Sequence, residues 1–472
     1  MLATVAALGG FLFGFDTAVI NGAVVAVREA FGMGAGLTGF VVSSALLGCI
    51  AGAYLAGRLA DRWGRIRVMV LAAVLFTVSA VGSGLAFGPA DLIVWRVVGG
   101  VGVGAASVIA PAYIAEISPA AVRGRLGSLQ QLAIVTGIFV ALLSDAFLAF
   151  LAGGAAEELW FGLEAWRWMF LTEVVPALAY GVLSLQIPES PRYLVAKGEP
   201  EEAHAVLGQV LITGVRERIE EIRRTVTQDA RASFADLRKP TGGLLPIVWI
   251  GIALSVFQQF VGINVIFYYS STLWQSVGFT ESDALTQTVI TSVTNIVVTI
   301  VAIALIDRIG RRRLLLIGSA GMFLMLGTLA AVFGTADLVE NAEGVLEPTL
   351  GDTQGVIALL AANGFVVFFG MSWGPAVWVL LGEMFPNTIR AKALGLAAAA
   401  QWIANFLITV TFPPMAGFSL PVTYAMYALF AALSFWFVMT KVPETNGMSL
   451  EEANTLLPPK NAAKNTATTQ RS

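Results

Sequence analysis

The chain has 472 residues and a formal net charge of −3, with 57% of it hydrophobic and only 12% charged. A soluble domain carries roughly 25% charged residues, and apolar runs of about 20 residues recur along the whole length, so the chain reads as a membrane protein rather than a large soluble core. The charge balance offers no basic surface for nucleic acid; the single Cys49 allows no internal disulfide and reads as packing; and the single His204, in a charged segment, leaves no material for a His-based metal site or catalytic triad.

The chain opens on an apolar stretch without a basic leading region, so residues 1–27 read as a first spanning helix and not as a signal peptide. The abrupt start suggests a short cytosolic lead-in ahead of it. Apolar runs separated by polar breaks predict twelve spans. Six lie near 3–27, 38–57, 68–87, 91–116, 127–151 and 168–187. After a polar interval, six more lie near 245–270, 285–306, 314–335, 355–382, 393–417 and 421–440. Runs this long and continuous predict helices, because barrel strands alternate over about ten residues. The fold class is therefore an all-α membrane protein.

The first span carries Asp16 in FLFGFDTAVINGA. A carboxylate at bilayer depth costs about 2.5–3.5 kcal/mol on insertion scales, so it is expected to face the bundle interior and to be functional. Arg96, early in the fourth span, is its natural partner, and Glu173 in the sixth is a second buried acid. One reading is a static salt bridge that orders the first bundle. The preferred reading is a proton site: if Arg96 moves relative to Asp16, the proton affinity of the carboxyl differs between two conformations, and proton binding becomes linked to that change.

The breaks at 58–67, 117–126, 188–244, 307–313 and 383–392, with the tail from 441, hold 25 of the 28 basic residues. That face is predicted to be cytoplasmic, with both termini inside. The opposite loop, 337–352, carries five acids and no base and is predicted to be external. The basic breaks also repeat. DRWGRIR at 61–67 returns as DRIGRRR at 307–313, Glu116 and Arg123 as Glu383 and Arg390, and PESPR at 188–192 as PETNG at 443–447. Three echoes in order imply two copies in the same membrane orientation, with a substrate site between them near mid-depth. The predicted domains are residues 1–187, a first six-helix bundle; 188–244, a cytoplasmic helical linker; 245–441, a second six-helix bundle; and 442–472, a cytoplasmic tail. The linker reads as amphipathic helix with Leu207, Val210, Ile219 and Ile222 on its apolar side. It either caps the cytoplasmic face, the preferred reading, or merely joins the halves.

The seventh span contains QQFVGINVIFYYS at 258–270. Uncharged donors and acceptors in an apolar helix are costly unless something polar meets them. Carboxamides supply both without net charge, which suits a neutral, polyhydroxylated ligand. A single Asn or Gln is more often helix–helix glue; three within seven residues, split by Gly262, favour a site.

These motifs together resemble the sugar-porter family of the major facilitator superfamily over nearly the whole chain. The residues that carry the likeness are GxxxDRxGR at 57–65, PESPR at 188–192, QQxxGIN at 258–264, DRxGRR at 307–312, WGPAxW at 373–378 and PETxG at 443–447. In motif the chain is most similar to bacterial sugar–proton symporters of the xylose, glucose, galactose or arabinose type, and also resembles mammalian glucose facilitators. The resemblance implies the major facilitator fold: twelve helices in two pseudo-symmetric six-helix bundles plus short cytoplasmic helices, alternating access, and a central monosaccharide site. It places sugar-binding residues at Gln131, Gln258, Gln259, Asn264, Asn295, Trp378 and Gln401, lined by Phe13, Trp402 and Asn405. Carboxamides suit sugar hydroxyls, and a ring suits the apolar face of a pyranose. Beside Trp378, Gly374-Pro375 breaks a helix and frees carbonyls. Tyr268 and Tyr269 are expected as a gate, with an aromatic belt as the alternative.

The resemblance also supports proton coupling, since coupled members carry Asp at the position of Asp16 and facilitators typically Asn. Asp61, Arg62, Arg65, Glu116, Arg123 and Glu189 mirror Asp307, Arg308, Arg311, Glu383, Arg390 and Glu444. They read as an inner latch that stabilises the outward-open form; topology alone accounts for the arginines but not for the matched acids. Departures from the pattern, at Ile66, at Ile389-Arg390-Ala391-Lys392 and at Asn446, bear on the latch and not on the fold. The expected function is sugar–proton symport, with uniport or a sugar sensor on the same fold as alternatives. No nucleophile or metal set points to an enzyme, no Walker A sequence to direct ATP drive. No cofactor is expected. The expected partners are a monosaccharide, a proton and the lipid bilayer, and the expected unit is a monomer in the cell membrane.

Overall fold

The computed structural model describes residues 2–118, 123–209, 214–229, 237–238, 242–340, 346–386 and 389–445, with the side chains of these residues except at 123–128, 225–229, 307, 338–340, 346–348 and 391. The expected tail after 445 and the apolar position Val210 lie outside the described residues, as do the side chains of Arg123 and Asp307.

The apolar runs become long helices packed side by side. The first span is α1 (Leu2–Ala18) followed by α2 (Ile20–Ala30), interrupted at Val19. Then come α3 (Ala35–Trp63), α4 (Arg65–Gly84), α5 (Pro89–Ile117) and α6 (Arg123–Ala152). The sixth span is split into α7 (Ala165–Thr172) and α8 (Val174–Ser184). The split falls at Glu173, ahead of Pro176, whose missing N–H cannot close the helical ladder.

The second half repeats this plan. Its first span is α12 (Pro246–Phe260) and α13 (Ile263–Gln275), separated by Gly262 at φ 85°, a left-handed conformation that glycine adopts without strain. Next are α14 (Glu281–Ile309) and α15 (Arg311–Gly334). The fourth span of this half is α16 (Asp352–Phe368), a π-helical turn at Phe369–Trp373 and α17 (Gly374–Met384). The last two spans run through α18 (Arg390–Lys441), which is extended at Ser419 between Pro414 and Pro421 and so serves as two helices. Among the described residues, ten helical stretches are long and apolar enough to cross a membrane. Dividing the last one at Ser419 and counting α7–α8 gives twelve spans among the described residues, the number expected from the sequence.

The polar joint between the halves forms three short helices, α9 (Pro191–Lys197), α10 (Pro200–Gly208) and α11 (Val215–Asp229). Left-handed glycines at Gly198 and Gly214 divide them. Leu207 and Ile222 are buried, while Ile219 is half-buried. Two small hairpins extend the all-helical expectation at the opposite end of the molecule: β1 (Glu158–Trp160) with β2 (Leu163–Glu164), and β3 (Asp337–Glu340) with β4 (Leu346–Thr349). The second falls in the acidic loop read from the sequence.

Candidate functional site

The repeated charged motifs fold into repeated structures at the basic end. Gly64 (φ 95°) and Gly310 (φ 90°) turn the chain into α4 and α15. Glu189 Oε1 and Oε2 accept the N–H groups of Arg65 (2.9 Å) and Ile66 (3.2 Å). Glu444 does the same for Arg311 (3.0 Å) and Arg312 (3.2 Å). Each glutamate thus satisfies the otherwise unpaired donors of a helix N-terminus, where negative charge is also favoured. Arg65 Nη2 then pairs with Glu116 at 2.9 Å, and Arg311 Nη2 with Glu383 at 2.7 Å. The small hydroxyls of the PES and PET strings close the figure: Ser190 donates to Glu116, and Thr445 donates to Glu383 at 2.5 Å. Asp61 joins Arg65 at 3.4 Å. Arg390 bonds the Phe385 carbonyl at 3.0 Å. Arg62 and Arg308 stand at this end, exposed. The Arg65–Glu116, Arg65–Asp61 and Arg311–Glu383 pairs each lie within one half.

In the first half, Arg96 is 2% and Asp16 1% exposed. Arg96 Nη1 donates to the Asp16 backbone carbonyl at 2.9 Å and reaches Asp16 Oδ1 only at 3.5 Å. Glu173, at the break of the sixth span and 1% exposed, sets its carboxyl against that of Asp16. Asp16 Oδ2 and Glu173 Oε1 face no hydrogen-bond donor. Ser79, which donates to the Trp95 carbonyl, and Gly99 pack on the same group; a Cβ at Gly99 would stand 2.9 Å from Asp16 Oδ1.

In the second half the carboxamides form one chain. Asn264 Nδ2 donates to Gln259 Oε1 (2.5 Å), Gln259 Nε2 to Gln258 Oε1 (3.4 Å), and Gln258 Nε2 to the carbonyls of Trp373 (2.8 Å) and Gly374 (3.3 Å). The π-helical turn and Gly374-Pro375 make those carbonyls available, so the seventh and tenth spans are joined at their breaks. Trp373 is buried and bonds the Leu315 carbonyl and Ser319, while Trp378 is 39% exposed. Asn295 is buried beside Gly370. Phe13 of α1 meets Trp402 of α18 across the halves, ring centroids 5.6 Å apart. Gln401 Oε1 is buried without a partner. Asn405 accepts from Thr409 at 3.1 Å. Gln131 is half-buried on α6. Tyr268 and Tyr269 are buried; Tyr269 donates to the Thr409 carbonyl at 3.1 Å and packs on Phe412. Neither offers the lipid-facing surface a belt requires.

Three residues not singled out from the sequence tie the halves together at the end opposite the arginines. Asn21 of α2 donates through Nδ2 to the Phe267 carbonyl and to Ser270 Oγ, both at 2.9 Å. The Ser271 N–H donates to Asn21 Oδ1 at 3.1 Å, and Ser271 Oγ to the Asn21 carbonyl at 2.5 Å. Alongside, the Ala155 N–H donates to Glu281 at 2.9 Å. This end of the molecule is closed. The signal was present in the sequence, as an uncharged polar residue five positions beyond Asp16 and two serines after the tyrosine pair.

The sequence profile of the family described as Sugar (and other) transporter matches residues 2–457. A glucose transport protein of Synechocystis sp. is 60% identical over 454 residues, 96% of each chain. The D-xylose-proton symporter of Escherichia coli is 37% identical, covering 96% of this chain and 95% of its own. The arabinose-proton symporter of Bacillus subtilis is 35% identical, covering 97% and 94%. Among solved structures, the inward-open conformation of the Escherichia coli xylose transporter XylE superposes with a TM-score of 0.81 at 36% identity, over 97% of this chain and 99% of that one. The same transporter bound to 6-bromo-6-deoxy-D-glucose gives 0.79 at 37%, over 97% and 98%.

Proposed function

The chain belongs to the sugar-porter family of the major facilitator superfamily, a membrane transporter and not an enzyme, and from that membership we propose that it carries a monosaccharide together with a proton by alternating access. Residues 1–187 and 245–441 are the two moving bundles, the basic end is cytoplasmic with both termini, and the closed end faces outward. The activities named for the relatives, glucose transport and pentose–proton symport, support a hexose or a pentose as cargo.

The observation that carries the coupling is the pair of orphaned carboxyl oxygens beside Arg96. A guanidinium that spends its short bond on the Asp16 carbonyl leaves the Asp16 carboxyl only partly neutralised, with a second carboxyl against it. A proton held between Asp16 and Glu173 gives both oxygens a partner. Withdrawal of Arg96 on a change of state alters the affinity for that proton, and sugar affinity changes with it by linkage. The sugar meets the amide chain of α12 and α13, with Gln131, Asn295, Gln401 and Asn405 completing the polar lining and Phe13, Trp378 and Trp402 the apolar one. Ligand hydroxyls replace the Gln258–Gln259–Asn264 bonds one for one, since each amide both donates and accepts.

The basic-end clusters act as the latch. With the outer side closed Arg65 and Arg311 pair with Glu116 and Glu383 of their own halves, and in the outward-open state the two halves approach here and share these charges. Uptake of labelled glucose into proteoliposomes, with and without an imposed pH gradient and with unlabelled hexoses, pentoses and polyols as competitors, tests the function. Gradient-driven accumulation competed by one sugar class supports it; binding of no monosaccharide contradicts it.

A further inference from the structure

The tip of the β1–β2 hairpin breaks a local rule without an internal reward. Trp160 pairs with Leu163, so Phe161 and Gly162 form the turn, at φ 57° and 74°. A two-residue turn with both φ values positive favours Asn-Gly or Asp-Gly. Among the described residues, Phe161 is the one non-glycine residue in that region. A bulky side chain is strained there, and its ring is 92% exposed, so burial within the protein does not offset the strain. Such an outlier points to a function outside the fold.

The hairpin is held firmly. Leu159 packs inward on the hydrophobic core, while Trp160 and Glu158 share the outward face. The Trp168 indole N–H donates to the Trp160 carbonyl at 3.2 Å, and its ring meets those of Trp160 and Phe161 at centroid distances of 5.5 and 6.1 Å. The Ala165 N–H donates to the Glu157 carbonyl at 2.8 Å, which fastens the hairpin to the first turn of α7. Arg167 pairs with Glu164 at 2.6 Å and donates to the carbonyls of Gly84 (3.3 Å) and Ala86 (2.7 Å), at the turn between α4 and α5. That turn carries a second exposed ring, Phe87, 86% exposed, beside the exposed Leu85. Arg167 thus joins two apolar tips into one fixed patch.

Their level relative to a bilayer follows from the spans beneath them. α4 has 20 residues, and α7 and α8 have 8 and 11 on either side of Glu173. At 1.5 Å per residue each span is about 30 Å long, the thickness of the hydrocarbon core. Both tips begin just past the end of such a span. The patch is also continuous with exposed apolar stripes that climb to it, Val78, Val81 and Leu85 from α4 and Leu143, Phe147 and Phe150 on α6. Glu157 and Glu158 are exposed beside the rings, so attraction to anionic lipid does not hold the patch and the contact is apolar. The hairpin of the second half, β3–β4, has Asp337, Glu340 and Glu347 in its strands instead.

We propose that the β1–β2 hairpin and the α4–α5 turn form an interfacial lipid anchor, which seats Phe161, Trp160 and Phe87 at the boundary between headgroups and acyl chains. Aromatic rings favour that boundary, and seating Phe161 there removes it from water. Because the hairpin is bonded to the start of α7, the anchor also fixes the level of the sixth span in the bilayer. The inference rests on the spans crossing a bilayer and not on the sugar or the proton.

The test uses the full chain with Cys49→Ala in phosphatidylcholine nanodiscs, with single nitroxide labels at Phe161→Cys and Phe87→Cys. Phe147→Cys, exposed on α6, is the reference for hydrocarbon, and Glu202→Cys, exposed on α10, the reference for water. Collisions are measured with oxygen, with a soluble nickel chelate and with nickel carried on a lipid headgroup. At Phe161 and Phe87 the oxygen-to-chelate ratio should lie between the two references, and relaxation by headgroup nickel should exceed that at either. In a companion measurement p-benzoylphenylalanine replaces Phe161, which keeps the ring, and illumination should yield lipid adducts that are absent when it replaces Glu202. A ratio at Phe161 equal to that at Glu202, or no lipid adduct from position 161, overturns the proposal. So does a Phe161 label shielded from all three relaxants, which would mean that protein covers the patch. Sugar uptake by the same proteins reports on the transport reading separately: uptake that persists while the Phe161 label stands in water rejects the anchor and leaves that reading intact.

Discussion

Replacing Asn21 by Ala removes three side-chain hydrogen bonds across the outer closure, those to the Phe267 carbonyl, to Ser270 Oγ and from the Ser271 N–H. The fourth bond, from Ser271 Oγ to the Asn21 carbonyl, survives because it uses backbone. A buried hydrogen bond contributes about 0.5–1.5 kcal/mol net, so the closed state loses roughly 1.5–4.5 kcal/mol. In the open state the same groups reach water and lose little. The difference amounts to a shift toward outward-open molecules of about tenfold at the least and about a thousandfold at the most, at 1.4 kcal/mol per factor of ten. Spin-label distances between Glu29→Cys and Ser282→Cys should lengthen accordingly, and an impermeant reagent should reach a cysteine at Tyr268 faster in Asn21→Ala. An unchanged distance distribution would mean that these bonds do not hold the closure, and that packing elsewhere between the halves carries it.

Gln258→Leu should abolish sugar binding and also lower the melting temperature in detergent, because it leaves the Trp373 and Gly374 carbonyls without their donor at about 1–3 kcal/mol; a normal Kd for sugar contradicts it. Glu189→Ala and Glu444→Ala should each destabilise the chain by about 1–3 kcal/mol through loss of paired N-terminal donors on α4 and α15, and similar losses in the two variants would follow from their matching geometry. Gly262→Ala should be poorly folded or inactive, since it forces a φ of 85° on alanine and sets its Cβ 2.7 Å from the Tyr427 ring; full activity would refute the need for that bend.

The spans were legible in the sequence because hydropathy at helical length leaves few alternatives in a bilayer. Their interruptions were only partly so. Gly262 and Gly374-Pro375 announce breaks by residue type, whereas the break at Val19 has no such mark and follows from contacts that sequence does not display. The pairing of Asp16 with Arg96 was inferred from the cost of each alone. That Arg96 would take the Asp16 carbonyl at shorter range than the carboxyl was not accessible, because backbone groups look alike in sequence. The repeated PES and PET strings were visible as charge patterns. Their capping of α4 and α15 is a tertiary feature, since each caps a helix more than a hundred residues away. Asn21, Ser270 and Ser271 carry little signal of their own in the sequence, because small uncharged polar residues are common in spanning helices and acquire meaning only when two halves meet on them. The residue types of Gln258, Gln259 and Asn264 suggest a ligand site, whereas their bonds to one another and to the Trp373 and Gly374 carbonyls depend on the breaks of two spans meeting, which sequence does not display.

The central claim is that Asp16 couples proton movement to sugar movement, and Asp16→Asn reconstituted in proteoliposomes tests it most directly. Sugar counterflow should persist, because the amide lining in the second half is untouched, while accumulation driven by an imposed pH gradient should disappear. Accumulation undiminished in that variant would contradict the account.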